Sequence, residues 1–315
     1  MKVIRYQHPD NSIKLDSTSV ALGYFDGVHV GHRALLSLMI KKSKEKNLIP
    51  CVFTFDNIPP KTNKTQTIIY NIEDKLAIFE QLGVKIVILA DFKSISNLEP
   101  YDFVKTVLVD RLDARVAVSG YNFRFGKEAS GCADDLSRFM TELGRDTQIL
   151  EEQTFHGVTA SSTYIRELLK EKRLDEATTF LGIPFFIRGR VEKGLGLGKG
   201  FGFPTVNLSI HRGFPLPLGV YRTAVKIDNK LYTGITNIGS CPTICERDIH
   251  AETLIADFNG NLYGKDIEIF FLGFLREEKL FDSVEELRDR IFQDKETSIK
   301  ENGDLTWLAT GLNLR

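Results

Sequence analysis

Cysteine is scarce. The 315-residue chain holds four, Cys51, Cys132, Cys241 and Cys245, too few and too scattered for a disulfide framework. A reduced, cytoplasmic protein is therefore expected. Cys241 and Cys245 lie close together with His250 nearby, but no second pair at metal-ligand spacing accompanies them, so ordinary packing is expected there. No run reaches the roughly 18 to 20 apolar residues of a membrane-spanning helix. Residues 1–9 hold no apolar stretch of signal-peptide type. Net charge of one sign is also missing: at −1, there is no global positive field to hold a nucleic acid or an anionic membrane. Any phosphate recognised must be met by local donors. Neither an internal repeat nor a low-complexity linker is present.

What remains is an ordinary globular composition, 42% hydrophobic and 26% charged, long enough for two cores. Two textures divide the chain near residue 183. Before it, continuous branched runs at 20–22, 51–55, 84–90 and 115–119 read as buried strands. Segments of helical period at 33–47, 73–82 and 101–112 alternate with them, which implies parallel βαβ units. A helical bridge is expected over 168–181, stopped by Gly182 with Pro184 beyond. After 184 the period becomes two. Short strands are expected at 185–191, 221–227, 230–235, 250–257 and 266–272, separated by turn residues such as Asp228-Asn229. That spacing suggests a small antiparallel barrel, followed by one amphipathic helix over roughly 283–300.

The turn Gly23-Tyr24-Phe25-Asp26-Gly27-Val28-His29-Val30-Gly31-His32 joins a predicted strand to a predicted helix. Glycines there let backbone approach a ligand, and a helix start aims free N–H groups at phosphate. His29 and His32 add two imidazoles able to stabilise charge in phosphoryl or nucleotidyl transfer; a pair of capping or surface histidines fits the same spacing. The Gly-Lys-Ser/Thr ending of a P-loop is lacking. Gly120-Tyr121-Asn122-Phe123-Arg124-Phe125-Gly126 follows a strand end, where open α/β sheets bind ligands. Asn122 there could hold a ribose or base, while Phe123 and Phe125 could equally be packing. Ser161-Ser162-Thr163-Tyr164-Ile165-Arg166 opens a helix with hydroxyls and a guanidinium, suited to polyphosphate or equally to a Ser cap with a surface Arg.

In the second half, Gly194 to Gly202 is the densest glycine stretch, carrying Gly198 and Lys199, and runs into Phe203-Pro204-Thr205-Val206-Asn207-Leu208. Such a loop can wrap a polyphosphate, and Thr205 and Asn207 can offer oxygens to Mg²⁺ from one strand face; a turn without ligand also fits.

The three N-terminal segments, in this order, resemble the FAD synthetase module of bacterial bifunctional riboflavin kinase/FAD synthetases. The Gly198-to-Asn207 region, Gly219-Val220-Tyr221, Thr236 to Thr243, Ala251 to Phe258, Leu262-Tyr263-Gly264 and Phe274-Leu275-Arg276 resemble the riboflavin kinase module of the same enzymes. The resemblance covers roughly residues 15–292. It implies a Rossmann-like nucleotidylyltransferase domain at 1–183 and a Greek-key β-barrel kinase domain with a C-terminal helix at 184–315. The implied substrates are riboflavin, FMN and ATP with Mg²⁺, with no nucleic acid beyond ATP and no membrane partner; the oligomeric state is not deducible.

Carried over by residue, the adenylyltransferase nucleotide site comprises Gly23, Phe25, His29, His32, Asn122, Ser162, Thr163 and Arg166. In the kinase, Glu252 would be the general base, Gly198, Lys199, Thr205 and Asn207 would hold ATP and metal, and Glu252, Leu275 and Arg276 would face the flavin. Three departures stand out. Ile58 occupies the place of a histidine usual in the family, Lys199 that of a frequent Arg, and Val206 that of a usual Ala. Retention of a single activity, with adenylylation the first suspected of loss, or a flavin-binding regulator without turnover, are the alternative expectations.

Overall fold

Strands buried on both faces need uninterrupted apolar sequence, and Thr18–Leu22 and Ile86–Ala90 are buried at every position. They belong to the first of two compact units, Met1–Gln66 with Tyr70–Ser161 and Thr67–Ile69 with Ser162–Arg315. The computed structural model describes residues 1–10, 12–56, 67–155, 157–192, 205–210, 213–240 and 249–311. Ile58, Gly198, Lys199, Cys241 and Cys245 lie outside the described residues.

The first unit is built on strands β1 (Lys2–Tyr6), β2 (Thr18–Leu22), β3 (Ile49–Phe55), β4 (Ile86–Ala90), β5 (Ala114–Gly120) and β6 (Asp146–Leu150). They form one sheet in the order β1-β4-β3-β2-β5-β6, and every neighbouring pair is parallel. Helices α1 (Val30–Lys46) and α2 (Ile72–Leu82) are among the crossovers. Leu22, Phe53, Ile88, Val104, Leu108, Ala117 and Leu136 share one apolar core. The expected strands are all present. β1 and β6 were not legible because they are edge strands, half-exposed and mixed in polarity. The helix expected over 101–112 is present, opening as an α-helical turn at Pro100–Asp102 and continuing as a π-helix over Phe103–Val109. A short hairpin, β7 (Thr154–Phe155) with β8 (Val158–Thr159), completes the unit.

Beyond the edge strand β1, the progression of strands across this sheet reverses once. From β2 the chain steps outward through β3 and β4, then returns to add β5 and β6 on the other side. The crevice beyond the carboxyl ends of β2 and β5 is therefore the topological switch point, where open α/β sheets bind ligands.

The second unit opens with helices Ser162–Lys170 and Leu174–Leu181 rather than one bridge over 168–181. The break is a Schellman closure. Lys172 sits at φ 63°, its N–H donates to Leu169 O, and the N–H of Arg173 donates to Leu168 O. A lysine in this left-handed position gives none of the glycine signal that usually marks the stop.

Six antiparallel strands follow: β9 (Phe186–Arg190), β10 (Thr205–Ser209), β11 (Gly219–Ile227), β12 (Lys230–Ser240), β13 (Ile249–Ile255) and β14 (Asp266–Arg276). Their order is β10-β13-β12-β11-β14-β9. β11, β12 and β13 form a meander, and β10 lies beside β13, which is a Greek key. Just past β9, the Glu192 N–H donates to Asn207 O of β10, so the sheet curls toward closure as a near-barrel. β12 and β14 outrun their expected ends at 235 and 272. β12 continues through polar residues, and β14 passes bulges opposite Val220 to Thr223, which break the apolar alternation that marks a strand. Helix Val284–Asn302 packs on β11 and β12, and Ser283 Oγ accepts the Glu286 N–H as its N-cap.

Candidate active sites

In the first unit the turn leaving β2 is conformationally forced. Phe25, Gly27 and Val28 all have positive φ, at 54°, 77° and 38°, and Val28 is β-branched, for which that region is costly. Gly27 meets the requirement without strain. Gly31 is needed for proximity: a Cβ there would stand 3.2 Å from the His29 ring.

His29 caps α1, its Nδ1 accepting the His32 backbone N–H at 3.4 Å. That bond assigns the neutral ring its proton on Nε2, leaving Nε2–H as the donor for a ligand. The His29 and His32 rings stack at 3.7 Å between centroids. Burial lowers the His29 pKa to about 4. Burial, then His29 and Lys75, hold His32 well below the usual histidine range. Both rings are therefore neutral at pH 7 and serve as hydrogen-bond donors rather than cations. His32 Nδ1 is buried with no hydrogen-bond partner among the described residues, which marks a place for a polar ligand atom.

Phe25 is fully buried, its ring edge-on to His32 at 5.2 Å and to Phe79 at 5.6 Å. The side chain thus props an imidazole from the core side. Gly23 lies under that same ring, 3.1 Å from where its Cβ would be. Asn122 is exposed in the turn after β5, beside the carboxyl end of β2. Phe125 belongs to the core, with Phe123 stacked on it at 5.5 Å, so these two rings are packing. Ser162, Thr163 and Arg166 open the first helix of the second unit.

Lys75 was not anticipated. It is 4% exposed on α2, and its Nζ donates to Tyr24 O at 3.3 Å and lies 4.6 Å over the Tyr24 ring. Burial, opposed by the nearby Asp26 carboxylate, pulls its pKa down to about 8. The available signal was positional, since Lys75 falls on the buried stripe with Ile78 and Phe79.

In the second unit, three neighbouring strands carry Asn207, Glu252 and Asn237 in one register row. Aligned partners share a sheet face, so the three side chains project together. Thr205, two residues before Asn207, is on that face, and its Oγ1 donates to Glu252 Oε1 at 2.7 Å. The opposite face carries a ladder of buried hydroxyls, Thr223 to Thr236 at 3.0 Å and Thr236 to Thr253 at 2.9 Å. Thr236 and Thr253 are the chain neighbours of Asn237 and Glu252, so the ladder fixes the register of the site.

Glu252 and Thr205 stand in a cavity of about 750 Å³. Val220, Ile235, Leu254, Leu287 and Ile291 give it apolar walls, suited to a flat aromatic ligand. Leu275 packs behind Val220, Ile235 and Leu254. Arg276 lines the cavity and is fixed by Asp294, which accepts from its Nε at 2.9 Å and is itself buried. Asn237 was missed as a candidate site residue; its Nδ2 donates to Glu278 at 3.1 Å, and its Oδ1 is buried without a partner among the described residues. Among the described residues no cluster of three His, Cys, Asp or Glu could hold a metal. The donors offered by Thr205 and Asn207 are neutral oxygens, which fit Mg²⁺ carried on a nucleotide and not a protein cage.

The family model for FAD synthetase matches residues 12–164, and that for riboflavin kinase matches residues 181–301. The bifunctional riboflavin kinase/FMN adenylyltransferase of Bacillus subtilis (strain 168) is 32% identical over 311 residues, covering 95% of this chain and 98% of that protein. Its namesake in Escherichia coli (strain K12) is 33% identical, over 95% and 97% of the two chains. A crystal structure titled as a macrolide-efflux protein from Streptococcus pneumoniae shares the fold at TM-score 0.82 and 28% identity, over 95% of this chain and 99% of that one. No helix of the described residues is long and apolar enough to cross a membrane.

Proposed function

The chain belongs to the bifunctional riboflavin kinase/FMN adenylyltransferase family, and we infer that it phosphorylates riboflavin to FMN and adenylylates FMN to FAD on the two sets of residues described above. The supporting observation is that the central residues of each candidate site fall within the segment matched by its own family model, His29 and His32 in one and Thr205 and Glu252 in the other; Arg166 lies just past the end of the first match. The functional boundary is put at 183/184, between a domain of 1–183 and one of 184–315; the riboflavin kinase match begins close by, at residue 181. A cytoplasmic setting follows from soluble substrates and few cysteines.

For the kinase, riboflavin lies in the apolar cavity with its ribityl 5′-hydroxyl at Glu252. The carboxylate takes the hydroxyl proton as the oxygen attacks the γ-phosphorus of ATP, and ADP leaves. Thr205, donating to Glu252, aims the base. Thr205 and Asn207 would hold the nucleotide's Mg²⁺, which would neutralise phosphate charge. Leu275 and Arg276 flank the flavin, with Asp294 keeping the guanidinium in place, and Gly198 and Lys199 would complete the ATP loop.

For the adenylyltransferase, an FMN phosphate oxygen attacks the α-phosphorus of ATP. The bond to the β-phosphate oxygen breaks, and pyrophosphate departs with the electron pair. The neutral His29 and His32 donate to phosphate oxygens without carrying a proton to them. Asn122 contacts the nucleoside, and Ser162, Thr163 and Arg166 meet the triphosphate. Gly23 and Phe25 give the turn its shape.

Incubating the purified chain with riboflavin and MgATP, then separating flavins chromatographically, tests the reading. FMN and then FAD are expected. FMN without FAD would leave a kinase alone, and no product would leave a flavin-binding protein.

A further inference from the structure

We propose that Lys75 is a catalytic cation of adenylyl transfer, its ammonium meeting the phosphates of ATP that depart as pyrophosphate. The inference rests on the adenylyl-transfer reading of the first unit.

Three observations converge. First, Lys75 is buried with no carboxylate at ion-pair distance among the described residues; Asp26 acts on it only from farther off, and its one acceptor there is the Tyr24 carbonyl at 3.3 Å. An ammonium has three donors, and burying it with two unused is costly unless an anion completes the site. Second, the neighbouring His32 Nδ1 is likewise buried and unmatched. A lysine brace for the turn would explain one hydrogen bond to Tyr24; it would not explain unmet polar groups on both α1 and α2. Third, the pair lies at the turn leaving β2, on the switch-point side of the sheet, beside the start of α1.

The charge requirement has the right sign. When the bond between the α-phosphorus and the β-phosphate oxygen breaks, negative charge grows on the leaving pyrophosphate. His29 and His32 are neutral and contribute dipoles only. Lys75 supplies the full positive charge in a buried setting, where it is least screened. No proton moves in this step, so Lys75 acts as a charge and a donor.

The groups facing Lys75 are Tyr24 and Asp26 from the turn and His32, with His29 behind it, from α1; Asp74 is its buried neighbour on α2. Asp26 favours the charged lysine and burial opposes it, with half-protonation at about pH 8. Bound triphosphate would favour the ammonium further.

The test uses the full chain and three variants, Lys75→Met, Lys75→Gln and Lys75→Arg, with FMN and MgATP as substrates. Riboflavin phosphorylation and thermal unfolding of each preparation report folding. Lys75→Met and Lys75→Gln are expected to lose about 10²-fold in kcat for FAD formation, and Lys75→Arg to keep most of it. Inhibition by added inorganic pyrophosphate should weaken in parallel. Over roughly pH 6 to 10, kcat/KM for ATP should fall along a limb near pH 8 in the native chain. That limb should be absent from Lys75→Met and moved to higher pH in Lys75→Arg. FAD formation by Lys75→Met within threefold of native, or an unchanged limb and unchanged pyrophosphate inhibition, would overturn the proposal alone. No FAD from the native chain would overturn the adenylyl-transfer reading, and this proposal with it.

Discussion

Among the described residues Glu252 is held by one side-chain hydrogen bond, from Thr205 at 2.7 Å, which fixes one carboxylate oxygen and leaves the second without a partner there. Glu252→Gln keeps the shape and removes the base. FMN formation should drop by about 10² to 10⁴-fold, while FAD formation from added FMN stays within twofold in a coupled pyrophosphate assay. His29 offers a stability test with a defined sign. Its pKa is about 4 in the fold against 6.5 in the unfolded chain, so the unfolded state takes up the proton first. The contribution is complete above pH 6.5 and is lost as pH falls through the interval down to about 4. It amounts to at most about 3 kcal/mol. His29→Gln should flatten the pH dependence of the melting temperature across that interval; an unchanged slope would mean the ring is not buried neutral. His29 and His32 were legible as candidates because they sit in one distinctive local string, whereas Glu252 became a candidate only through the family resemblance. Lys75 and Asn237 were candidates by neither route. A lysine on a helix normally snorkels to solvent, so its position on the apolar stripe of α2 was a weak signal until the packing of α2 against the Tyr24 turn was seen.

At the scale of elements, the site geometry depends on partners that no local string reveals. Asn207, Glu252 and Asn237 are abreast only because β10 pairs with β13 and β13 with β12 in one particular register. The period-two texture announced strands there but could not state their alignment, and a slip of one residue would turn Glu252 into the core. The hydroxyl ladder guards against that slip. Thr236→Val leaves Thr223 and Thr253 buried with one partner fewer each, and should cost about 1 to 3 kcal/mol in chemical denaturation. Riboflavin phosphorylation should weaken more than adenylylation, since Thr236 and Thr253 neighbour kinase residues only. Equal loss of both activities would show that the ladder serves general stability instead. The β2-turn-α1 element shows the converse, a feature legible almost complete. Strand, glycines and histidines are contiguous in sequence, so the switch point needed only the strand order to be placed. The break at Lys172 was invisible for a related reason, because its Schellman closure is made by backbone bonds around a residue type that does not advertise it.

At the scale of the whole molecule, two nucleotide-using sites on one chain raise the question of whether FMN passes through solvent between them. On the proposed chemistry the sites are independent: the kinase would use a carboxylate base beside neutral oxygen donors, and the adenylyltransferase would use uncharged imidazoles and a buried ammonium. Neither set contains a residue of the other, and each lies in the segment matched by its own family model. Chemical independence predicts complementation. Glu252→Gln alone should make no FAD from riboflavin, and the double variant His29→Ala with His32→Ala should stop at FMN. Mixed with MgATP, the two should produce FAD after a lag in which free FMN accumulates, and the lag should shorten as either protein is added in excess. With labelled riboflavin as the starting flavin, an excess of added unlabelled FMN should dilute the label out of FAD in the mixture. The same dilution on the native chain then measures how much FMN escapes there. FAD formation in the mixture with no lag and no dilution by added FMN would sink the model of separate sites linked by diffusing FMN.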